Sequence, residues 1–181
     1  MTDRTPHPSA AGRTIRGNAG LVWLVVTGAA VLGLLIDVLV RGGAVDLLLI
    51  APWMLLPVWV VWAFLASPRL RADAEGVSIR NPLRTTSGPW SSVEDLAMRW
   101  QVEVRFVGGR TVQAWSVAAR KANPRNPEQP AERELEILRE LREAAAPSAL
   151  APVPTVRWNA DILLVLAALV IWAAVAVAVT R

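Results

Sequence analysis

Three long apolar stretches constrain this chain more than any other feature of its sequence. They cover residues 20–40, 45–66 and 162–179, and a polar insert separates the second from the third. A helix of ~20 residues, rising ~1.5 Å per residue, crosses a hydrocarbon core of ~30 Å, so each stretch is long enough to span a bilayer. The sequence therefore predicts an integral membrane protein with three transmembrane helices.

The first two stretches are separated only by residues 41–44, which predicts an antiparallel helical hairpin. Asp37 precedes Arg41 at the helical spacing of an ion pair. A carboxylate inside a span is also a candidate polar site for proton or ion transport, and Pro52 and Pro57 are expected to bend the second span. The simpler interpretation is that Asp37 pairs with Arg41 near the membrane surface. Both interpretations stay open at this point.

The distribution of arginines predicts the orientation. Arginines cluster in the segment before the first span and at the start of the insert, whereas the hairpin loop has Arg41 alone; the clustered ones are Arg4, Arg13, Arg16, Arg69, Arg71, Arg80 and Arg84. Because positive charge favours the cytoplasmic side, we expect the N-terminus and the insert in the cytoplasm and the C-terminus outside the inner membrane. The first span is too long for a cleaved signal peptide. It is expected to remain as an anchor, with Trp23, Trp62 and Trp158 near the inner boundary.

Periodicity divides the chain into five segments. We expect a tail over 1–19, the helical hairpin over 20–66, a folded insert over 67–146, a Pro/Ala linker over 147–159 and the third transmembrane helix over 160–181. In the insert, Leu70 and Ala72, then Val77 and Ile79, alternate with polar residues, which predicts two strands joined by a tight turn.

A longer alternation over 96–106 predicts two further strands that meet near Trp100. Gly108 and Gly109 indicate a hairpin before the last strand. Ser91 and Glu94 have capping-box spacing, so a single helical turn and a polar strand entry are equally compatible with that segment. Residues 118–130 are expected to be irregular. A helix over 131–145 should bury one stripe, formed by Leu135, Leu138 and Leu141.

The composition argues against several classes of function. The chain has no cysteine and its one histidine is His7, so it has no thiolate nucleophile and no histidine in the insert to act as a general base. It also lacks a glycine-rich phosphate loop and a metal-ligand cluster, and the neighbouring Glu94 and Asp95 should point to opposite faces of a strand. We therefore expect no catalysis, no cofactor and no metal. The net charge of +4 is modest, and the insert mixes acidic with basic residues, so nucleic acid is not expected as a partner.

The insert resembles a known family. The residues that carry the resemblance are the run ADAEGVSIR over 72–80, Trp90 with Val93 and Leu96, and Gly108-Gly109-Arg110 before the last strand. They are similar to the bacterial pleckstrin-homology-like domains of actinobacterial membrane proteins, of the low-molecular-weight protein antigen 6 type. A helical hairpin before the domain also fits that family, whereas Gly108 in place of the usual Asp and the third span depart from it.

Together with the three predicted spans, the resemblance implies a membrane α-helical plus α+β protein, in which three transmembrane helices enclose a small PH-like half-barrel capped by one amphipathic helix. It implies a binding module without catalysis, attached to the inner membrane face, that recognises a protein partner, another copy of itself or anionic lipid. The candidate contacts are Arg69, Arg71, Arg80, Arg84 and the strand residue Trp115. The arginines could instead serve only to set the topology. A small subunit of a transport or channel complex that uses Asp37 and the second span is the alternative function.

Overall fold

The protein is described from a computed structural model, which describes residues 13–16, 18–98, 101–118, 130–145 and 153–181. The chain divides into two compact units. The first, called the sheet unit, comprises the described residues within 1–16, 69–80 and 85–157. The second, called the helical unit, comprises those within 17–68, 81–84 and 158–181.

The helical unit contains the three predicted spans. Helix α1 covers Asn18–Gly42, α2 covers Ala44–Val61 and continues as a π-helical turn over Trp62–Ala66, and α4 covers Ala160–Thr180. The described residues contain three helices that are long and apolar enough to cross a membrane, at Ala19–Gly42, Ala44–Ala66 and Ala160–Thr180. The predicted membrane-helical part of the fold is confirmed.

Indole groups connect the second and third spans. The Nε1 of Trp59 donates to the carbonyl of Ile162 over 3.1 Å, and the Nε1 of Trp172 donates to the carbonyl of Leu48 over 2.9 Å. Helix α2 remains helical through Pro52 and Pro57. The Arg41 guanidinium lies 2.6 Å from the Asp37 carboxylate, so the predicted ion pair is present.

A five-stranded sheet has the order β1-β2-β3-β4-β8, and its strands β1 to β4 pair antiparallel. Its strands are β1 Arg13–Ile15, β2 Arg69–Ala72, β3 Gly76–Arg80, β4 Arg84–Pro89 and β8 Thr155–Trp158. Strands β2 and β3 are the predicted pair. The Asp73 carboxylate accepts hydrogen bonds from the amides of Glu75 and Gly76, which closes the turn between them.

A three-stranded antiparallel sheet, in the order β5-β6-β7, completes the unit. Its strands are β5 Val93–Met98, β6 Gln101–Phe106 and β7 Arg110–Ala118. Gly108 and Gly109 have φ angles of +88° and +79° between β6 and β7, as the predicted hairpin requires. The predicted single helical turn before Leu96 is present over Trp90–Ser92, but no side chain caps it, and Glu94 already belongs to β5. The Ser92 hydroxyl closes that turn by donating to the carbonyl of Pro89.

The two sheets and helix α3, Pro130–Ala144, enclose one hydrophobic core. Most of the described strand residues predicted to face inward are buried, and Met98 is partly buried. Leu135 and Leu138 of α3 pack on this core, with Leu141 at its margin; the buried strand residues include Leu70, Ala72, Val77, Ile79, Leu96, Val102, Val104 and Phe106. The Arg142 guanidinium of α3 donates to the carbonyls of Val93 and Glu94 on β5. Helix α3 is thereby attached to the three-stranded sheet by apolar packing and by hydrogen bonds to β5.

Strands β1 and β8 were not predicted. They lie in segments for which the sequence indicated a tail and a linker, and each adds to an edge of the five-stranded sheet. The alternation of Val156 and Trp158 with Thr155 and Arg157 is the signal that was available for β8. The predicted corner at Trp100, most of the irregular segment over 118–130 and most of the linker lie outside the described residues.

Candidate functional site

The outward face of β2 and β3 carries the arginines that the sequence singled out. Burial alternates along β2, where Leu70 and Ala72 are buried and Arg69 and Arg71 are exposed. The same alternation places Val77 and Ile79 of β3 inside and Arg80 on the outer side. The core therefore determines which face these cations occupy, because shifting either strand by one residue would expose its apolar side chains.

Three of the predicted arginines line one recess of about 360 Å³ on this face of the sheet unit. The lining residues come from four neighbouring strands, and they are Thr14, Arg69, Arg71, Ser78, Arg80 and Thr85. Strand pairing explains the assembly, because Thr14 lies opposite Arg71, and Arg71 lies opposite Ser78. The recess combines guanidinium groups with hydroxyl groups, and none of the described residues that line it is acidic.

Two of the arginines in the recess occupy facing positions on neighbouring strands. Arg69 lies directly opposite Arg80 in the pairing of β2 with β3, and like charges at opposite positions destabilise a sheet. In the part of the chain that the structure describes, neither Arg69 nor Arg71 forms an ion pair with a carboxylate. Guanidinium groups in this arrangement form a suitable receptor for a phosphate or carboxylate group.

Arg84 and Trp115 do not belong to the recess lining. The Arg84 guanidinium lies 4.0 Å from the centre of the Trp158 ring, in a cation–π contact inside the helical unit. Trp115 lies on β7 of the other sheet with 49% of its surface exposed, whereas Trp90 is buried at 4%. The five predicted contacts therefore form one cluster of three arginines and two separate positions.

A second recess, of about 400 Å³, lies over the turn between β2 and β3. Its lining includes the carboxylates of Asp73 and Glu75, and it shares Ser78 with the arginine recess. The Ser78 and Ser87 hydroxyls are hydrogen bonded over 2.8 Å between the two recesses. An anion is therefore attracted to the arginine side of this surface and repelled from the carboxylate side.

The predicted intramembrane site and the acidic pair on β5 offer no comparable constellation. The Asp37 carboxylate is bound to Arg41, and its side chain is 53% exposed at the end of α1. A register shift between Val93 and Asp95 leaves both Glu94 and Asp95 exposed. Among the described residues, no group of three or more His, Cys, Asp or Glu side chains has the arrangement of a metal site.

Two antiparallel sheets around one core, closed by an amphipathic helix, define a PH-like domain. The model of the bacterial PH domain family matches residues 67–170, which is more than half of the chain. The protein belongs to this family. The match extends beyond α3 through β8 and into α4, so it covers a larger part of the chain than the motifs suggested. No curated protein and no solved structure matches the chain.

Proposed function

We propose that this protein is a non-catalytic, membrane-anchored interaction module whose PH domain binds an anionic lipid headgroup in the arginine recess. The observation that carries this proposal is the convergence of Arg69, Arg71 and Arg80 on one recess, with Arg69 opposite Arg80. The assignment to actinobacterial proteins of the low-molecular-weight protein antigen 6 type stays a prediction.

We place the N-terminus and the PH domain in the cytoplasm and the C-terminus outside the inner membrane. The arginine distribution supports this orientation. It also provides the alternative role for Arg69 and Arg71, which is to set the topology and bind nothing. A reporter that works only in the cytoplasm should be active when it is fused near Pro127. Activity of a reporter that works only outside the membrane would mean that the orientation is the reverse of the proposed one.

Lipid retention by the purified full-length protein tests the recess. The wild type and an Arg69→Gln/Arg71→Gln variant are reconstituted in phosphatidylcholine nanodiscs with added phosphatidylglycerol, and bound phosphatidylglycerol is counted by native mass spectrometry. At about 1 kcal/mol per basic residue, the loss of two arginines should weaken retention roughly 30-fold. Because the protein is already purified, an effect on membrane insertion does not enter this measurement.

The matched control removes the same charge from the other sheet. Arg105 and Arg110 are exposed on β6 and β7, so an Arg105→Gln/Arg110→Gln variant should retain phosphatidylglycerol like the wild type. Equal retention by all three proteins would contradict the proposal and favour the topological role. Equal loss in both variants would mean that general surface charge, and not the recess, attracts the lipid.

No specific observation favours the transport alternative. The one carboxylate on which that function depended is already paired with Arg41. Trp115 is exposed on a separate face, and its role in binding a protein partner or a second copy stays a prediction.

A further inference from the structure

Residues 81–84, which form the loop after β3 and the first residue of β4, are hydrogen bonded to the start of the third span. The side-chain amide of Asn159 donates to the carbonyls of Asn81 and Pro82, over 2.7 and 3.2 Å. The backbone amide of Asn159 donates to the carbonyl of Leu83 over 2.9 Å. All of these residues belong to the helical unit. The hydrogen bonds therefore hold three consecutive carbonyls of the loop against the residue that precedes α4.

Asn159 occupies the N-cap position of α4, but its side chain does not cap the helix. Asparagine is among the preferred N-cap residues because its side-chain oxygen accepts from the first free amides of a helix. Here the side chain is turned to the loop instead, and Asn159 is 5% exposed. The Asn159 side chain thus binds Asn81 and Pro82, which precede it by 78 and 77 positions in the sequence, and does not cap the helix.

The outer side of this connection is apolar and cationic. Leu83 is 38% exposed and Trp158 is 56% exposed, and the Arg84 guanidinium lies over the Trp158 ring at 4.0 Å. Helix α4 begins at Ala160, so Trp158, at the end of β8, lies two residues before the span. Indole rings concentrate at this level of a membrane, where one side of the ring is apolar and the other is wet.

We infer that residues 81–84 and Trp158 form an interfacial anchor, which enters the headgroup region of the bilayer that α4 crosses. Two observations identify lipid as the occupant. The exposed apolar surface of Leu83 and Trp158 is continuous with the start of an apolar span, and Arg84 is exposed beside it with the charge that attracts lipid phosphates. The anchor is distinct from the arginine recess and does not depend on ligand binding there.

Site-directed spin labelling of the full-length protein tests this inference. The chain has no cysteine, so Leu83→Cys gives a single labelling site. Val107→Cys is the matched control, because Val107 is 42% exposed at the tip of the hairpin between β6 and β7. In phosphatidylcholine vesicles, the label at 83 should be more accessible to oxygen than to a water-soluble nickel chelate, and the label at 107 should show the reverse. An aqueous signal at 83, or an interfacial signal at both positions, would overturn the anchor.

The role of Asn159 is tested by Asn159→Asp combined with the label at 83. Aspartate is as good an N-cap as asparagine, but its ionised carboxylate cannot donate to the loop carbonyls. We expect the label at 83 to become as accessible to the nickel chelate as the label at 107. An unchanged depth would overturn the assignment of Asn159 as the residue that holds the anchor. An unchanged spectrum of the label at 107 in the same variant shows that the sheet unit is still folded.

Discussion

The two sheets of the PH domain share one core but differ on their outer faces. In the three-stranded sheet, Asp95 lies opposite Arg105, and the Gln113 amide donates to the Glu103 carboxylate over 2.8 Å. In the five-stranded sheet, Arg69 lies opposite Arg80. One face thus has opposite charges at facing positions, whereas the other has cations facing each other. The comparison shows that the shared core requires apolar residues on the inner faces of both sheets, whereas the charges on the outer faces can differ between them.

The largest effect on stability is expected in the core that the two sheets share. Phe106 of β6 is fully buried, and its ring approaches Gly88 of β4 so closely that a Cβ there would lie 3.1 Å from the ring. Phe106→Ala should therefore destabilise the domain by about 3–5 kcal/mol. Hydrogen exchange of the full-length protein in nanodiscs should accelerate in both sheets together. Val107→Ala, at the exposed next position, should leave exchange unchanged. Faster exchange confined to one sheet would show that the sheets unfold separately.

A smaller effect is expected at the connection between the sheets. Trp90, in the turn that precedes β5, donates from Nε1 to the carbonyl of Asp73 over 2.7 Å. Trp90→Phe keeps most of the apolar volume but removes this donor, which should cost about 1–3 kcal/mol. Exchange of the Glu75 and Gly76 amides should accelerate more than that of Gly109, whose amide bonds to Phe106 in the other hairpin. Equal acceleration at both turns would contradict a local role of this hydrogen bond.

The smallest effect on stability is expected from the charges on the outer faces, and it compares the two faces directly. Arg69→Gln removes a cation that lies opposite another cation, whereas Arg105→Gln removes a cation that lies opposite a carboxylate. Cross-strand charge pairs contribute roughly 0.2–1 kcal/mol. The first variant should raise, and the second should lower, the free energy of unfolding of the domain. Urea-dependent hydrogen exchange at low salt measures both, and raised salt should reduce both changes. Changes of the same sign would refute the charge comparison.

Much of the fold was predictable because its signals are local. The lengths of the apolar stretches predicted α1, α2 and α4, and alternation predicted the inward-facing residues of β2, β3, β5 and β6. The spacing of Ser91 and Glu94 predicted the helical turn before Leu96, but the turn closes through the Ser92 hydroxyl and not through a capping box. Strands β1 and β8 escaped prediction because three or four residues at a sheet edge produce little periodicity.

The candidate site was only partly predictable. The sequence indicated a group of arginines near the first hairpin, and three of them meet in one recess. Arg84 follows Arg80 closely in the chain, but its side chain lies over Trp158. Thr14 lines the recess although more than fifty residues separate it from Arg69. Neither placement has a local signal, since each depends on which distant strand or helix lies beside the residue.

The sequence by itself determined that the chain has three membrane-length helices, a strand-rich insert and an amphipathic helix, because length and period are properties of neighbouring residues. The tertiary structure decided that Arg69 lies opposite Arg80, that Thr14 completes the recess and that Asn159 binds the loop at 81–84. The physical reason is that strand register, edge pairing and side-chain hydrogen bonds join groups far apart in sequence. Their partners are selected by the packing of the whole core.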